Sequence, residues 1–213
     1  MALYKIIDLE RKTKILVWKI TESFDTLYQQ VVLKDVSLAR LENMKSESHQ
    51  KGFLSVRKLL EQAGYSDFDL YYDAFGKPHL LDGTHISISH SFDFSVIILS
   101  DTNIGIDLEM RRDKIGLIAR KFADEPFVYL AENNKEDYIS KLTVLWGVKE
   151  AVFKVRNEIG ISFKDHIFVR PFEIVDKKTT AMLHFNHHEQ EFEVHFEEIE
   201  NYTMVWVSEK NEK

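Results

Sequence analysis

From Ile104 to Met110 apolar and polar side chains alternate, and from Lys141 to Val155 apolar side chains return at helical spacing; the first pattern predicts a strand and the second a helix. On the strand Asp107 and Glu109 share one face, while Ile106 and Leu108 point toward a core. On the helix Leu142, Leu145, Trp146, Val148, Val152, Phe153 and Val155 are the apolar positions, and Glu150 and Lys154 are neighbours one turn apart on an exposed stripe. Upstream, the same reading predicts a strand at Ile15 to Ile20, a helix at about Leu27 to Leu33 and a longer helix from Ser37 to Ala63. Next come a strand at Asp67 to Tyr72, a turn at Gly76-Lys77-Pro78 and a short strand at Ile86 to Ser89. Phe94 to Leu99 and Ile104 to Glu109, joined by Asp101-Thr102-Asn103, predict an antiparallel hairpin. Helices are expected near Lys114 to Phe122 and Phe127 to Ala131, ahead of the Lys141 helix. A meander is expected from Thr180 to Asn186, Glu191 to Glu197 and Thr203 to Val207. The fold class is α+β, with helix followed by antiparallel strands once in each half, 1–101 and 102–213.

Composition narrows the function classes. The chain has 213 residues, enough for one domain or two small ones, and 44% apolar content supplies a sizeable core. No cysteine is present, which fits a reducing compartment and removes disulfides, thiolate metal sites and cysteine nucleophiles. Charges interrupt Met1-Ala2-Leu3-Tyr4-Lys5 too early for a signal-peptide core, and no apolar run is long enough to span a membrane; a soluble, cytoplasmic protein is expected. A formal charge of −7 argues against a general nucleic-acid binder, so a polyanionic ligand would need a local basic pocket. The histidines His184, His187, His188 and His195 match no closed zinc spacing and are read as surface residues.

The chemistry lies in the strand and the helix. Two carboxylates on a strand facing a third on a helix can hold Mg²⁺, which takes one or two carboxylates together with phosphate oxygens and water. A lysine one turn beyond can neutralise a phosphate on that metal. Each segment alone also reads as an ordinary solvated face, Asp-x-Glu on a half-buried sheet and Glu150 with Lys154 as a helix-surface pair. Their residue order points further. Gly105, Asp107 and Glu109, followed roughly forty residues on by Trp146, Lys149, Glu150, Ala151 and Lys154, resemble the paired signature of the Sfp-type 4′-phosphopantetheinyl transferases. Phe75-Gly76-Lys77-Pro78-His79-Leu80 and Ile86-Ser87-Ile88-Ser89-His90-Ser91 resemble two upstream elements of that family. Gly160-Ile161-Ser162-Phe163-Lys164-Asp165-His166-Ile167 resembles the segment that follows the helix in many members.

The resemblance implies two similar α+β halves related by a pseudo-twofold, with the cofactor between them. It implies Mg²⁺-dependent transfer of the phosphopantetheine arm of coenzyme A to a serine of an acyl or peptidyl carrier protein, releasing 3′,5′-ADP, by a monomer. Asp107, Glu109 and Glu150 would hold the metal. Lys154, and Lys149 beside it, would balance the leaving phosphate. Glu150, which the resemblance favours, and Glu109 are the two candidates for the base. Lys77, Pro78, Ser89 and His90, with Arg57 from the long helix, would contact coenzyme A. The chain departs from the family at Gly52, where many members carry an acid ahead of Arg57. The basic stretch Arg111, Arg112, Lys114, Arg120 and Lys121, with Ile115, Leu117 and Ile118 between, reads either as the surface that receives the acidic carrier or as charges that balance local acids. Two other classes are open to the same residues: a non-catalytic coenzyme A or carrier-binding relative, and a Mg²⁺-dependent phosphohydrolase.

Overall fold

The computed structural model describes residues 3–10, 12–123 and 134–210. Two compact units divide the chain, Met1–Thr102 and Asn103–Lys213. Both combine helices with an antiparallel sheet, as the α+β reading expects.

In the N-terminal unit four strands run in the order β1-β2-β6-β5: β1 Leu3–Asp8, β2 Lys14–Lys19, β5 His85–Ser91 and β6 Phe94–Ser100. Helices α1 Phe24–Gln29, α2 Asp35–Glu42 and α3 Glu47–Gln62 precede a two-stranded ribbon, β3 Leu70–Tyr72 and β4 Pro78–Leu80. Helix α3 buries Phe53, Leu54, Val56, Leu59 and Leu60 in a core shared with Leu16, Trp18, Leu27, Leu41, Ile86 and Ile97. Burying one such side chain contributes about 1.5–3 kcal/mol. The helix also brings a polar seam inside, where the Ser55 and Ser95 hydroxyls meet at 2.6 Å.

Several expectations change here. The helix expected over Ser37 to Ala63 is two helices, broken at 43–46 without glycine or proline. The break is stabilised by side-chain amides: Asn43 Nδ2 donates to the Ala39 carbonyl (2.8 Å), and Gln50 Nε2 donates to that of Met44 (3.1 Å). The helix expected to end at Leu33 starts and stops earlier, because Ser23 caps its first turn by accepting the Thr26 N–H. Strand β1, for which the sequence pattern gave no expectation, pairs with β2 along an alternating half-exposed face. The hairpin expected from Phe94 to Glu109 does not form: β6 pairs with β2 and β5, and the strand after it belongs to another sheet. Backbone pairing is decided by which partners lie alongside, and a three-residue turn signal carries no such information.

In the C-terminal unit five strands run in the order β7-β11-β10-β9-β8: β7 Ile104–Met110, β8 Ile167–Val169, β9 Lys178–Phe185, β10 His188–Ile199 and β11 Tyr202–Glu209. The last three are the expected meander. The short helix α4 Ile115–Ile118 runs into a 3-10 turn at Ala119–Lys121. The helix expected at Phe127 to Ala131 lies outside the described residues. Helix α5, Lys135–Arg156, crosses the sheet and buries Leu142, Leu145, Val148, Val152 and Val155 against Val194, Phe196, Val205 and Val207. It starts earlier than its apolar pattern suggests because Asn134 caps the Asp137 N–H, with Glu136 and Asp137 in the first turn beside the positive end of the helix. Asn157, in the left-handed region at φ 50°, ends it.

Candidate active site

Strand β7 and helix α5 bring the two signature segments together. Val205 on β11 pairs with Asp107 on β7, and Gly147 of α5 sits directly over Val205: a Cβ at Gly147 would lie 2.7 Å from Val205 Cγ2 and 3.7 Å from Asp107 Oδ2. Gly105 is tighter still, since a Cβ there would lie 2.1 Å from the Ala151 carbonyl oxygen. Backbone therefore meets backbone where the strand carrying Asp107 passes under the helix carrying Glu150.

Asp107 is buried, at 4% exposure, and Glu109 two residues on is half-buried. Lys154 reaches down from α5, its Nζ donating to Asp107 Oδ1 at 2.8 Å and to the Ile106 carbonyl at 2.9 Å. Glu150, half-buried one turn earlier on α5, has its carboxyl pushed up from an ordinary 4.5 to about 7. Loss of water is the main cause; the negative charges of Asp107 and Glu109 add to it, and Lys154 opposes it. The three carboxylates thus feel one another across the strand–helix gap. Among the described residues no three acidic or histidine side chains are gathered into a ready-made ion cluster. Hard oxygen donors, crowded enough to hold a proton near neutrality with one lysine among them, nevertheless suit a Mg²⁺ that completes its sphere with phosphate oxygens and water.

Two expected ligands are elsewhere. Lys149 is 2% exposed and turns away from Glu150; its Nζ donates to the Phe163 carbonyl at 2.5 Å and the Ile167 carbonyl at 2.6 Å. Successive residues of a helix point about 100° apart, so the neighbour of an outward Glu150 faces the interior. Its ammonium braces the segment after α5 and is not placed to meet a phosphate. Arg57, at 2% exposure, is likewise internal to the N-terminal unit. Its Nε donates to Asp67 Oδ1 at 2.9 Å and its Nη1 to the Phe53 carbonyl at 3.2 Å, and the guanidinium lies 3.4 Å from the centre of the Phe53 ring. That is a buried ion pair, and the expected coenzyme A contact at Arg57 is corrected accordingly.

The remaining N-terminal candidates lie on β4, β5 and the turn between β3 and β4. Lys77 closes that turn and Pro78 opens β4, both half-buried; Ser89 is buried and His90 exposed on β5. The imidazole of His90 rests on α3 over Gly52, where a Cβ would lie 2.9 Å from its Nδ1. The missing side chain of Gly52 is thus the space that this histidine fills. On the basic stretch, Arg112, Lys114, Arg120 and Lys121 are exposed, whereas Arg111 bonds Glu198 and the Glu200 carbonyl. Ile115 and Ile118 pack on the C-terminal core rather than offering an apolar contact, while Leu117 is 85% exposed. His195, read as a surface residue, is half-buried and stacks on Trp206 with ring centres 5.6 Å apart. None of the described helices is long and apolar enough to cross a membrane.

Residues 103–207, nearly the whole of the C-terminal unit, match the family model of the 4′-phosphopantetheinyl transferase superfamily. The chain is also similar to two curated proteins. One is the 4′-phosphopantetheinyl transferase gsp of Aneurinibacillus migulanus, 31% identical over 81 residues that cover 38% of this chain and 34% of that protein. The other is the 4′-phosphopantetheinyl transferase ffp of Bacillus subtilis, 28% identical over 118 residues that cover 52% of this chain and 53% of that protein. The matched part of the chain thus spans about half, or less, of the length of these relatives. Asp107, Glu109, Glu150 and Lys154, on β7 and α5, all lie within the residues that match this superfamily.

Proposed function

We propose that the chain transfers the 4′-phosphopantetheine arm of coenzyme A to a carrier-protein serine in a Mg²⁺-dependent reaction. The observation that carries this reading is the electrostatic coupling of Glu150 to Asp107 and Glu109, with Lys154 bonded to Asp107, in a unit that matches the superfamily. The serine oxygen attacks the β-phosphorus of the coenzyme A diphosphate, the bond from that phosphorus to the bridging oxygen breaks, and 3′,5′-ADP leaves. Such a reaction is governed by positioning and by neutralising charge on the phosphoryl oxygens.

Asp107, Glu109 and Glu150 would hold Mg²⁺, which when bound supplies Lewis acidity at the diphosphate. Glu150 serves as the acceptor of the serine proton. Lys154 offers its ammonium to the leaving phosphate from the end of α5. In this reading the N-terminal half, 1–101, contributes coenzyme A contacts through Lys77, Pro78, Ser89 and His90, and the C-terminal half, 102–213, contributes the metal and catalytic groups. The exposed Arg112, Lys114 and Leu117 receive the acidic carrier. The protein acts as a cytoplasmic monomer.

Incubation with a carrier domain, coenzyme A and Mg²⁺, followed by intact-mass measurement of the carrier, tests the reading. A phosphopantetheine mass gain, lost in Asp107→Ala and in EDTA, is expected. Coenzyme A fragments without a modified carrier would instead identify a phosphohydrolase, and neither product would identify a binding protein.

A further inference from the structure

The turn at residues 73–77 joins Tyr72 of β3 to Pro78 of β4, which face each other in register. It has little to hold it by ordinary strand pairing, because Pro78 has no N–H to donate and biases Lys77 toward extended backbone. What holds it is Asp73. The N–H groups of Phe75, Gly76 and Lys77 all donate to this one residue: Phe75 and Lys77 to side-chain Oδ1, at 2.8 and 2.9 Å, and Gly76 to the backbone carbonyl, at 3.1 Å. The Asp73 N–H closes the loop on the Lys77 carbonyl at 3.0 Å. Its second oxygen, Oδ2, accepts from His79 Nε2 at 3.2 Å, and the His79 ring stacks on Tyr71 across the ribbon with centres 5.2 Å apart. Gly76, at φ +84°, supplies the left-handed residue that lets three successive amides converge on one residue, two on its carboxylate and one on its backbone carbonyl.

We infer that Asp73 is a positioning residue: it shapes the turn that presents Lys77, and through that turn it sets the affinity for the phosphate-bearing end of coenzyme A. The inference rests on the proposed contact between Lys77 and coenzyme A. Its geometry requires a short side chain with an acceptor oxygen, which aspartate and asparagine share and alanine lacks. Bonds from His79 first, then from the Lys77 and Phe75 N–H groups, hold the Asp73 carboxyl below the usual carboxylate range, consistent with a carboxylate fully engaged by the turn.

The test compares Asp73→Ala, Asp73→Asn and Lys77→Ala for direct binding of coenzyme A by calorimetry and for the KM and kcat of carrier modification. Asp73→Ala should weaken coenzyme A binding and raise its KM about tenfold while kcat stays within about twofold. Asp73→Asn, which keeps the Oδ1 acceptor, should stay within about threefold of the parent on both counts. Asp73→Ala with unchanged affinity, or Asp73→Asn as impaired as Asp73→Ala, overturns the inference while leaving the transfer reaction standing. Unchanged binding in Lys77→Ala overturns both the inference and the proposed coenzyme A contact at this turn. A parent protein that binds coenzyme A but modifies no carrier refutes the transfer reaction alone.

Discussion

Arg57→Met should cost the N-terminal unit about 3–5 kcal/mol, the usual penalty for leaving one member of a buried ion pair alone. The pair is enclosed, with side chains of Arg57 and Asp67 only 3% and 0% exposed. After the substitution Asp67 keeps the Ser37 hydroxyl at 2.9 Å and the Lys34 N–H at 3.0 Å, two neutral donors that cannot balance a buried charge. Methionine preserves much of the bulk over Phe53 but gives up the cation–π contact. A loss of this size is a large share of the roughly 5–15 kcal/mol that holds a typical protein folded. Urea unfolding at neutral pH measures it. Asp67→Leu alone should cost a similar amount, and the double variant Arg57→Met/Asp67→Leu should recover a substantial part, because the uncompensated charge is gone. The folded fraction of each variant should bind coenzyme A as the parent does. A variant that keeps parental stability within about 1 kcal/mol yet binds coenzyme A much more weakly would refute the structural reading and return Arg57 to the ligand.

Three further outcomes are expected. Because the folded state of the metal-free protein holds the Glu150 proton more tightly than the unfolded chain, the Glu150 contribution to stability should be fully present below the ordinary 4.5 and decline as pH rises through about 7. The decline should reach at most about 3 kcal/mol and be absent in Glu150→Gln; parallel denaturation curves for the two proteins at pH 5 and pH 8 in EDTA would contradict it. Gly105→Ala drives a methyl into the Ala151 carbonyl and should lower stability by about 1–3 kcal/mol while displacing α5 from β7, which thermal unfolding and the loss of carrier modification report together. Gly52→Ala should gain up to about 1 kcal/mol of helix propensity and yet weaken coenzyme A binding, because His90 must leave its seat; unchanged affinity would remove His90 from that contact.

The parts of this molecule that were legible in advance are those whose signals are local. Alternation in β7 and spacing in α5 placed Asp107, Glu109, Glu150 and Lys154 on the correct elements, since period alone decides which face a residue takes. Charged residues whose partners are distant were not legible. Arg57 finds Asp67 ten residues later and Lys149 finds carbonyls 14 and 18 residues later, and nothing near either residue announces that it will be buried. The false hairpin between β6 and β7 has the same origin, because β7 lies beside β11, nearly a hundred residues further on. Asp73 is the opposite case, a local signal left unread: aspartate three residues before a glycine, with proline two beyond, is ordinary turn chemistry.

Contact between Gly105 and Ala151 means that the separation of the strand acids from the helix acid is a length written in main-chain atoms. Interior side chains elsewhere in the C-terminal unit can be exchanged for others of similar volume without retuning that length. The same directness leaves no slack at the contact itself, so a side chain added at Gly105, or at Gly147 over Val205, is what would move the helix off the sheet.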